Sequence, residues 1–203
     1  MQIKKAEQRN NIIEAACQEF YSNGFKGSSM RNIAQNADVS LSNIYNYFKN
    51  KDEILIQILK PLMTEITSML GEHNDSSKLD TTVFYLDSFI EEGADYYMNL
   101  VTMYKKELKL LLCDCEGSLY ESFREDFIGL QCDIGRAYLK EMKQKYPDIN
   151  ANISSLFVRN ISSWFVEILS ELVCNDYPLD KMRTFFEEYV LFSTAGWKKI
   201  MNI

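Results

Sequence analysis

The chain has few residues that interrupt helices, with only three prolines and eight glycines among its 203 residues. Proline removes a backbone donor and glycine is a poor helix former, so their scarcity leaves long uninterrupted segments. In these segments apolar residues recur at spacings of three and four, which is typical of amphipathic helices. The sequence therefore predicts an all-α protein.

The chain also lacks the motifs of common enzyme and metal sites. Its one histidine is His73, in a segment that is typical of a loop. No Gly-rich phosphate loop, nucleophile elbow or zinc-binding motif occurs along the sequence. We therefore predict that the protein is not an enzyme, and we expect no catalytic residue, no metal site and no cofactor.

Signals for membrane insertion and secretion are missing as well. The sequence has no run of about 18 consecutive apolar residues, the length that begins to indicate a membrane span. Residues 1–16 contain no apolar core of a secretory signal. Five cysteines at irregular spacing favour reduced thiols over a disulfide framework. We expect a cytoplasmic protein with no membrane partner.

The charge of the chain is unevenly distributed. The net charge is −7, which as a total argues against binding to a polyanion. Residues 1–60, however, hold eight lysines and arginines against six acidic residues, a net charge of +2, so the remaining residues carry −9. Because phosphate binding depends on local charge, the N-terminal part is compatible with DNA binding.

Residues 28–55 are typical of two short helices joined by a tight turn, after a first helix at residues 5–23. Ser28 is expected to cap the second helix and Ser40 the third, since serine hydroxyls accept bonds from free backbone amides at helix starts. Asp38 lies in the turn, where a left-handed residue is needed. This layout favours a helix-turn-helix, whose second helix enters the DNA major groove.

The rest of the chain is expected to continue as helices. The third helix is predicted at residues 41–48 and a fourth at residues 51–70, in which Pro61 should produce a kink or a split. A loop is predicted at residues 71–78. Five further helices are predicted at about 80–98, 99–113, 118–145, 150–175 and 179–201.

Five short motifs follow one another through the N-terminal region. They are Gly-Phe at 24–25, Ile-Ala at 33–34, Ala-Asp-Val-Ser at 37–40, Ile-Tyr-Asn-Tyr-Phe at 44–48 and Lys-Asp-Glu-Ile-Leu at 51–55. In order and spacing they resemble the tetracycline-repressor (TetR/AcrR) family of bacterial regulators, over about the first 57 residues. The resemblance implies an N-terminal three-helix helix-turn-helix DNA-binding domain at residues 1–50. It also implies a larger helical ligand-binding and dimerisation domain at residues 51–203.

The function implied by this resemblance is that of a ligand-responsive transcriptional regulator, most often a repressor. Such a protein binds a pseudo-palindromic operator as a homodimer and is released by a small molecule. The expected partners are therefore double-stranded DNA, a second copy of the chain and an apolar or aromatic effector.

The resemblance places DNA-contacting side chains at the starts of the second and fourth helices and along the third. The candidates for phosphate contacts are Ser29, Arg31, Tyr47 and Lys51, and those at or near base edges are Ser40, Leu41, Ser42, Asn43, Tyr45 and Asn46. Asparagine pairs with adenine, and leucine packs on the thymine methyl group. Residues 41–48 contain no arginine or lysine, the usual partners of guanine, so we predict A·T-rich half-sites.

The resemblance also implies a dimer interface on the last two helices and a ligand pocket between about residues 80 and 145. The candidate interface residues are Leu156, Ile161, Trp164, Phe165, Ile168, Phe185, Phe186 and Tyr189. The candidate pocket residues are Tyr85, Phe89, Tyr96, Tyr97, Met103, Tyr104, Phe123 and Phe127. Each is also a residue type that is common in a protein core.

Two other functions are compatible with the sequence. Cys113 and Cys115 form a C-x-C motif, with Cys132 about one helix away, so a thiol- or metal-responsive regulator is one alternative. The other is a DNA-bound protein that recruits a partner and has no small-molecule ligand. A ligand-sized cavity would favour the sensor, and a solid core with an exposed apolar patch would favour the recruiting protein.

Overall fold

The computed structural model of the protein describes residues 2–73 and 80–203. Over these residues the chain forms eight α-helices, one short 3₁₀ helix and no β-strand, so the predicted all-α fold is confirmed. The helices are α1 (Gln2–Gly27), α2 (Met30–Asn36), α3 (Leu41–Ile44), α4 (Lys51–His73), α5 (Asp87–Cys113), α6 (Phe123–Lys145), α7 (Ser155–Cys174) and α8 (Leu179–Met201), and the 3₁₀ helix is Thr82–Tyr85.

The chain divides into two compact units that are not contiguous in sequence. Unit 1 consists of Met1–Glu65 and Lys106–Phe123, and unit 2 of Ile66–Lys105 and Arg124–Ile203. Both α4 and α5 therefore contribute residues to each unit. The functional boundary at residue 50 stays a prediction.

The core of unit 1 contains an apolar stripe on α1. Ile12, Ala16 and Phe20 are fully buried, as their spacing of four residues predicts. Gly24 interrupts the helix with φ 66° and ψ 170°, a region that glycine occupies without the steric cost of a side chain. Phe25 packs against Phe20, with 5.4 Å between their ring centroids, and closes this part of the core.

The start of α2 differs from the prediction by one residue. Ser29, and not Ser28, caps α2, because its side chain accepts a hydrogen bond from the backbone amide of Asn32. Ser28 is buried, and its Oγ donates to the backbone oxygens of Gly24 at 2.6 Å and Glu19 at 3.2 Å. The Ser28 hydroxyl is therefore used at the end of α1 and is not available to cap α2.

The turn before α3 has the predicted geometry, but the helix is shorter than predicted. Asp38 has φ 52°, which confirms that it is the left-handed residue of the turn. The Ser40 side chain caps α3 by accepting a bond from the Asn43 amide at 3.2 Å. The helix ends at Ile44 and the next three residues form a turn, in which the Asn46 amide donates to the Asn43 carbonyl.

Helix α4 runs unbroken from Lys51 to His73 with Pro61 inside it, so the predicted split does not occur. The remainder of the predicted loop, residues 74–78, lies outside the described residues. Within the described part of the chain, one helical segment, Lys51–Gly71, is long and apolar enough to cross a membrane, with a mean hydropathy of 1.2. Core helices of soluble proteins also have this composition, and a third of the segment is buried within the protein.

Helix α5 takes the place of two predicted helices. It begins at Asp87 and continues to Cys113, and the short 3₁₀ helix precedes it. The predicted break near residue 98 is absent. Instead Tyr104 has non-helical angles within α5, with φ −120° and ψ 24°. No proline or glycine marks this position in the sequence, so the pattern of helix breakers did not reveal it.

Candidate nucleic-acid interface

The side chains of the α3 region divide into a buried and an exposed face. Ile44 and Phe48 are buried in unit 1 and hold the region in place. The six candidate base-reading residues lie on the outer side, where Ser40, Leu41, Ser42, Tyr45 and Asn46 are exposed and Asn43 is half-buried. The structure thus brings all six together on one accessible surface.

Hydrogen bonds within this surface orient its polar groups. Asn46 Nδ2 donates to Asn43 Oδ1 at 3.3 Å, and the hydroxyl oxygens of Ser40 and Ser42 lie 3.0 Å apart. An asparagine amide has two donors and two acceptor lone pairs, so each asparagine retains hydrogen-bonding capacity. The two amides can therefore bind base edges while each fixes the orientation of the other.

Three of the four phosphate candidates lie at the start of α2 and in the turn after α3. Ser29 caps α2 and is half-buried, whereas the Arg31 side chain is exposed. Tyr47 donates its hydroxyl to Gln8 Oε1 at 3.0 Å, and Lys5 Nζ lies 6.0 Å from its ring centroid. Tyr47 therefore links α1 to the turn after α3, which fixes the position of a hydroxyl that is suited to phosphate.

Lys51, the fourth phosphate candidate, has a different environment. Its ammonium group donates to the backbone oxygens of Phe25 and Ser28, at 2.7 Å each, and lies 4.3 Å from the centroid of the Phe25 ring. Burial lowers the pKa of this ammonium group, and the carboxylates of Asp52 and Glu19 oppose the shift. Lys51 therefore stabilises the junction between α1 and α2, and its contact with phosphate stays a prediction.

A basic groove beside α3 contains the candidates Tyr45 and Lys51 and, in addition, two lysines that were not candidates, Lys26 and Lys49. It has a volume of about 340 Å³ and is lined by Phe25, Lys26, Met30, Tyr45, Lys49, Asn50, Lys51, Asp52 and Gly117. The Lys49 side chain is 88% exposed and lies 3.8 Å from a carboxylate oxygen of Glu53. An exposed ion pair of this kind is weak, so the Lys49 ammonium is available to an anion such as a phosphate. The signal in the sequence was the lysine two residues before Lys51.

The eight candidate pocket residues differ widely in burial. Tyr85 and Met103 are exposed, and Lys198 Nζ lies 3.7 Å from the centroid of the Tyr85 ring. Phe89 is also exposed, Phe127 is buried, and Tyr96, Tyr97, Tyr104 and Phe123 are half-buried. Neither the basic groove nor a second groove of about 340 Å³ along α6 and the start of α7 is lined by any of them. A shared pocket stays a prediction.

Tyr97 belongs to an aromatic cluster in unit 2. Its ring centroid lies 5.3 Å from that of Phe165, 5.5 Å from Phe186, 5.8 Å from Tyr96 and 5.9 Å from Tyr189. Burial raises the pKa of its phenol, and the neighbouring phenols of Tyr189 and Tyr96 add to the shift. Tyr97 of α5 therefore packs against side chains of α7 and α8.

The eight candidate dimer residues are divided between the interior and the surface of unit 2. Phe165, Ile168 and Phe186 are buried, and Ile161, Phe185 and Tyr189 are half-buried. Only Leu156 and Trp164 of the eight are exposed. Most apolar residues of α7 are covered by other helices of the same chain, and only a few of them are exposed to solvent. A role of the buried residues in a dimer interface stays a prediction.

Four of the exposed apolar side chains of these two helices define a surface, and Leu179 and Leu191 of α8 are exposed as well. Leu156, Phe157, Trp164 and Phe192 form what we name the α7–α8 face, and Leu156 and Phe192 are 73% and 63% exposed. The rings of Trp164 and Phe192 are in contact, with centroids 5.8 Å apart. Phe157 was not among the candidates, although it continues the apolar periodicity of α7.

The cysteines of the C-x-C motif differ in state, and a thiol response stays a prediction. Cys113 and Cys174 are disulfide-bonded, so the expectation of five reduced thiols is wrong; spacing along a chain does not show which thiols become oxidised. Cys115 is a buried free thiol that donates to the Leu111 carbonyl, and burial raises its pKa. Such a thiol has little reactive thiolate. In the described residues no group of three or more His, Cys, Asp or Glu side chains is placed to hold a metal ion.

The capped helices, the left-handed turn and the exposed polar face of α3 define a helix-turn-helix DNA-binding unit. Residues 12–58 match the family model described as "Bacterial regulatory proteins, tetR family". The N-terminal region therefore carries a DNA-binding domain similar to that of the tetR family, as the motifs in the sequence implied.

Similarity to relatives at 30% identity or more extends over about a third of the chain. The chain is 39% identical over 61 residues to the fatty acid metabolism regulator protein of Bacillus subtilis, a match that covers 30% of this chain and 31% of the relative. The matched parts of two further Bacillus subtilis regulators span 37% and 35% of their lengths, so the chain spans about a third of these relatives. Over a longer stretch, it is 22% identical to the transcriptional repressor KstR2 of Rhodococcus jostii, covering 79% of this chain and 78% of the relative.

The fold of the whole chain resembles solved structures. NalD, the secondary repressor of the MexAB-OprM multidrug efflux pump in Pseudomonas aeruginosa, has a TM-score of 0.65 at 16% identity, covering 92% of this chain and 96% of NalD. FadR from Bacillus subtilis in complex with stearoyl-CoA has a TM-score of 0.58 at 21% identity, covering 89% of this chain and 96% of FadR. At such low identity these likenesses show the shared fold.

Proposed function

We propose that the protein is a cytoplasmic transcriptional regulator that binds a pseudo-palindromic DNA operator. The observation that carries this proposal is the outer surface of the α3 region, where six side chains, five of them polar or amphipathic, are accessible on the helix, its cap and the turn after it, anchored by Ile44 and Phe48. A helix of this kind reads base edges in the major groove. In this proposal Asn43 and Asn46 read adenines, while Arg31, Tyr47 and Lys49 bind flanking phosphates.

Binding as a homodimer is part of the proposal. One three-helix reading unit contacts a single half-site, whereas a two-fold dimer presents two reading helices to major grooves roughly 34 Å apart. The α7–α8 face supports this, because clustered large apolar side chains on a surface are typical of protein interfaces. We therefore assign this face to the contact between two copies of the chain.

Release of DNA by a small molecule is the regulatory step that we propose. KstR2 and NalD are described as repressors, and FadR was solved with stearoyl-CoA. These relatives favour a repressor whose effector has a large apolar part. An effector shifts the protein away from the DNA-binding conformation only to the extent that it binds the other conformation more tightly.

Recruitment of a protein partner is a second candidate function, favoured by one observation. Tyr85, Leu86, Phe89 and Met103 of unit 2 are large exposed apolar side chains. The two functions are distinguished by titrating the DNA complex with stearoyl-CoA and other apolar compounds. Release of DNA by any of them identifies a sensor, whereas unchanged DNA affinity with all of them favours recruitment.

Selection of duplexes from a random pool is expected to return A·T-rich half-sites in inverted repeat. The physical reason is that residues 41–48 offer two asparagines and no arginine or lysine, and asparagine pairs with adenine while guanine prefers arginine. Sequencing of the bound pool measures this enrichment. As a control, the double variant Asn43→Ala, Asn46→Ala should lose the adenine preference. Enrichment of G·C-rich half-sites would contradict the assignment of the base readers, and no enrichment at all would contradict the proposed function.

Replacement of Lys49 and of Lys51 by methionine is expected to have different effects. Lys49→Met removes an exposed cation, so the slope of log affinity against log salt should fall by about one, with no change in thermal stability. Lys51→Met removes the donor to two backbone oxygens and should cost about 1–3 kcal/mol of unfolding free energy. DNA titrations at several salt concentrations and thermal unfolding measure the two effects. A reduced salt slope in Lys51→Met alone would assign the phosphate contact to Lys51 instead.

A further inference from the structure

Glu19 is a buried carboxylate at the contact between α1 and α2. It is 6% exposed, and among the described residues it is the only buried side chain that carries a formal charge. Burial of a carboxylate is costly unless its oxygens accept hydrogen bonds. Oε1 accepts from Asn32 Nδ2 at 2.9 Å, and Oε2 accepts from Asn36 Nδ2 at 3.3 Å. Each carboxylate oxygen is thus bonded to a different side chain of α2.

The two asparagines give this contact a direction that apolar packing lacks. Asn32 and Asn36 lie four residues apart on α2, so their amides project from the same face of the helix, one turn apart. A carboxylate that bridges both fixes the rotation of α2 about its axis and its position along that axis. Ile33 and Ala34 are buried as well, but apolar burial is not directional.

The same residue is joined to the start of α2 through its backbone. The Glu19 carbonyl accepts a bond from Ser28 Oγ, and the Ser28 carbonyl accepts one from Lys51 Nζ. Glu19 therefore belongs to a polar network that connects α1, the α1–α2 junction and the start of α4. At its other end α2 stops at Asn36, directly before the turn at Asp38 that leads to α3.

We infer that Glu19 is a positioning residue that sets the orientation of α2 and, through the turn that follows, the orientation of the reading helix α3 on DNA. The inference rests on the proposed DNA-binding function. Glu19 lies beneath α2 and acts through Asn32 and Asn36, without a DNA contact of its own. Without this positioning the protein would bind DNA through general charge attraction alone. With it, the side chains of α3 meet defined base pairs, and binding becomes sequence-specific.

Replacement of Glu19 by leucine distinguishes a role in positioning α2 from a role in the folding stability of the protein. A buried carboxylate can often be replaced by an apolar side chain of similar volume with no loss of folding stability, and sometimes with a gain. The freed amides of Asn32 and Asn36 can bond to water, because both residues are at the surface. A residue needed only for stability would lower the melting temperature and all DNA affinities together. A positioning residue lowers the affinity for the specific duplex alone.

The experiment compares full-length wild-type protein with Glu19→Leu, Glu19→Gln and the control Glu14→Leu, an exposed carboxylate on the same helix. Each protein is titrated with the duplex that the wild type selects from a random pool and with a random-sequence duplex, and thermal unfolding is recorded. Glu19→Leu should bind the selected duplex about tenfold more weakly, with unchanged affinity for the random duplex and no loss of melting temperature. Glu19→Gln keeps an acceptor oxygen and should recover most of the loss, and Glu14→Leu should match the wild type.

The alternative outcomes are distinct. Wild-type affinity in Glu19→Leu, or a parallel loss of melting temperature and of both DNA affinities, overturns the positioning role. An equal loss in Glu19→Gln and Glu19→Leu also overturns it, since the glutamine retains an acceptor for Asn32. A wild-type protein that enriches no duplex from the pool overturns the proposed function and this inference together. The first three outcomes overturn the role of Glu19 alone, because the wild-type protein still binds its selected duplex.

Discussion

A carboxylate introduced at Phe192 is expected to separate the proposed dimer and to weaken operator binding by about 100-fold or more. Phe192 is 63% exposed on α8 and contacts Trp164 of α7, so a partner seated on the α7–α8 face would cover it. Burial of an unpaired carboxylate in an apolar interface is strongly unfavourable. A monomer then holds only one half-site and loses the gain in affinity that comes from linking two reading units.

Sedimentation equilibrium and operator titrations test this result. Phe192→Asp should have the mass of one chain, 23.7 kDa, where the wild type has twice that mass. Leu130→Asp is the matched control, because Leu130 is an exposed leucine on α6 that is not one of the four residues of the α7–α8 face. It should remain a dimer with unchanged affinity. If Phe192→Asp remains a dimer, the two copies must meet through another surface.

The parts of unit 1 that depend on near neighbours in sequence could be predicted. The stripe of Ile12, Ala16 and Phe20 is buried as its period predicts, because one helical face is set by spacing alone. The cap at Ser40 and the left-handed Asp38 were also predictable, since each depends on backbone groups within three residues. The exposed surface of α3 follows from these local features.

The parts of unit 1 that depend on distant residues could not be predicted. The Phe25 amide donates to the Asp114 carbonyl at 2.8 Å, and the Leu119 amide donates to Asp52 Oδ1 at 2.8 Å. These bonds attach the segment Lys106–Phe123 to the helix-turn-helix, although the partners are 89 and 67 residues apart in sequence. Lys51 is a similar case, since its motif indicates a phosphate contact and only the fold shows the two carbonyls that it binds.

Apolar periodicity also left the roles of side chains in unit 2 unresolved. It identified Tyr97, Phe165 and Phe186 as apolar positions, but it assigned the first to a pocket and the other two to a dimer interface. In the structure their rings lie within one cluster, with centroids 5.3 to 5.5 Å from Tyr97. Periodicity indicates that a face is covered, and it does not indicate whether the cover is the same chain, a partner or a ligand.

The aromatic cluster around Tyr97 is expected to make the stability of the folded protein depend on pH. Burial raises the pKa of the Tyr97 phenol, so the folded protein keeps it neutral where the unfolded chain ionises. Its contribution to stability is therefore complete below the ordinary phenol pKa of about 10 and is lost as the pH rises above it. Tyr97→Phe removes this group, so its melting temperature should fall less steeply than that of the wild type above about pH 10.

Tyr97→Ala is expected to destabilise unit 2 by about 3 kcal/mol, the lower end of the cost of removing a large aromatic side chain from a core, because Tyr97 is half-buried. The ring contacts four other rings from α5, α7 and α8, so its loss leaves a cavity at the point where these helices meet. Thermal or urea unfolding at neutral pH measures the loss, and Tyr97→Phe, which keeps every ring contact, is the matched control.

A residue that lined a ligand pocket would behave differently. Its replacement by alanine would enlarge the pocket and change the response to an effector, with little change in the melting temperature of the unliganded protein. Wild-type stability in Tyr97→Ala would therefore restore Tyr97 to the pocket, whereas a large loss places it in the core that holds α7 and α8, and with them the α7–α8 face, in position for a second copy of the chain.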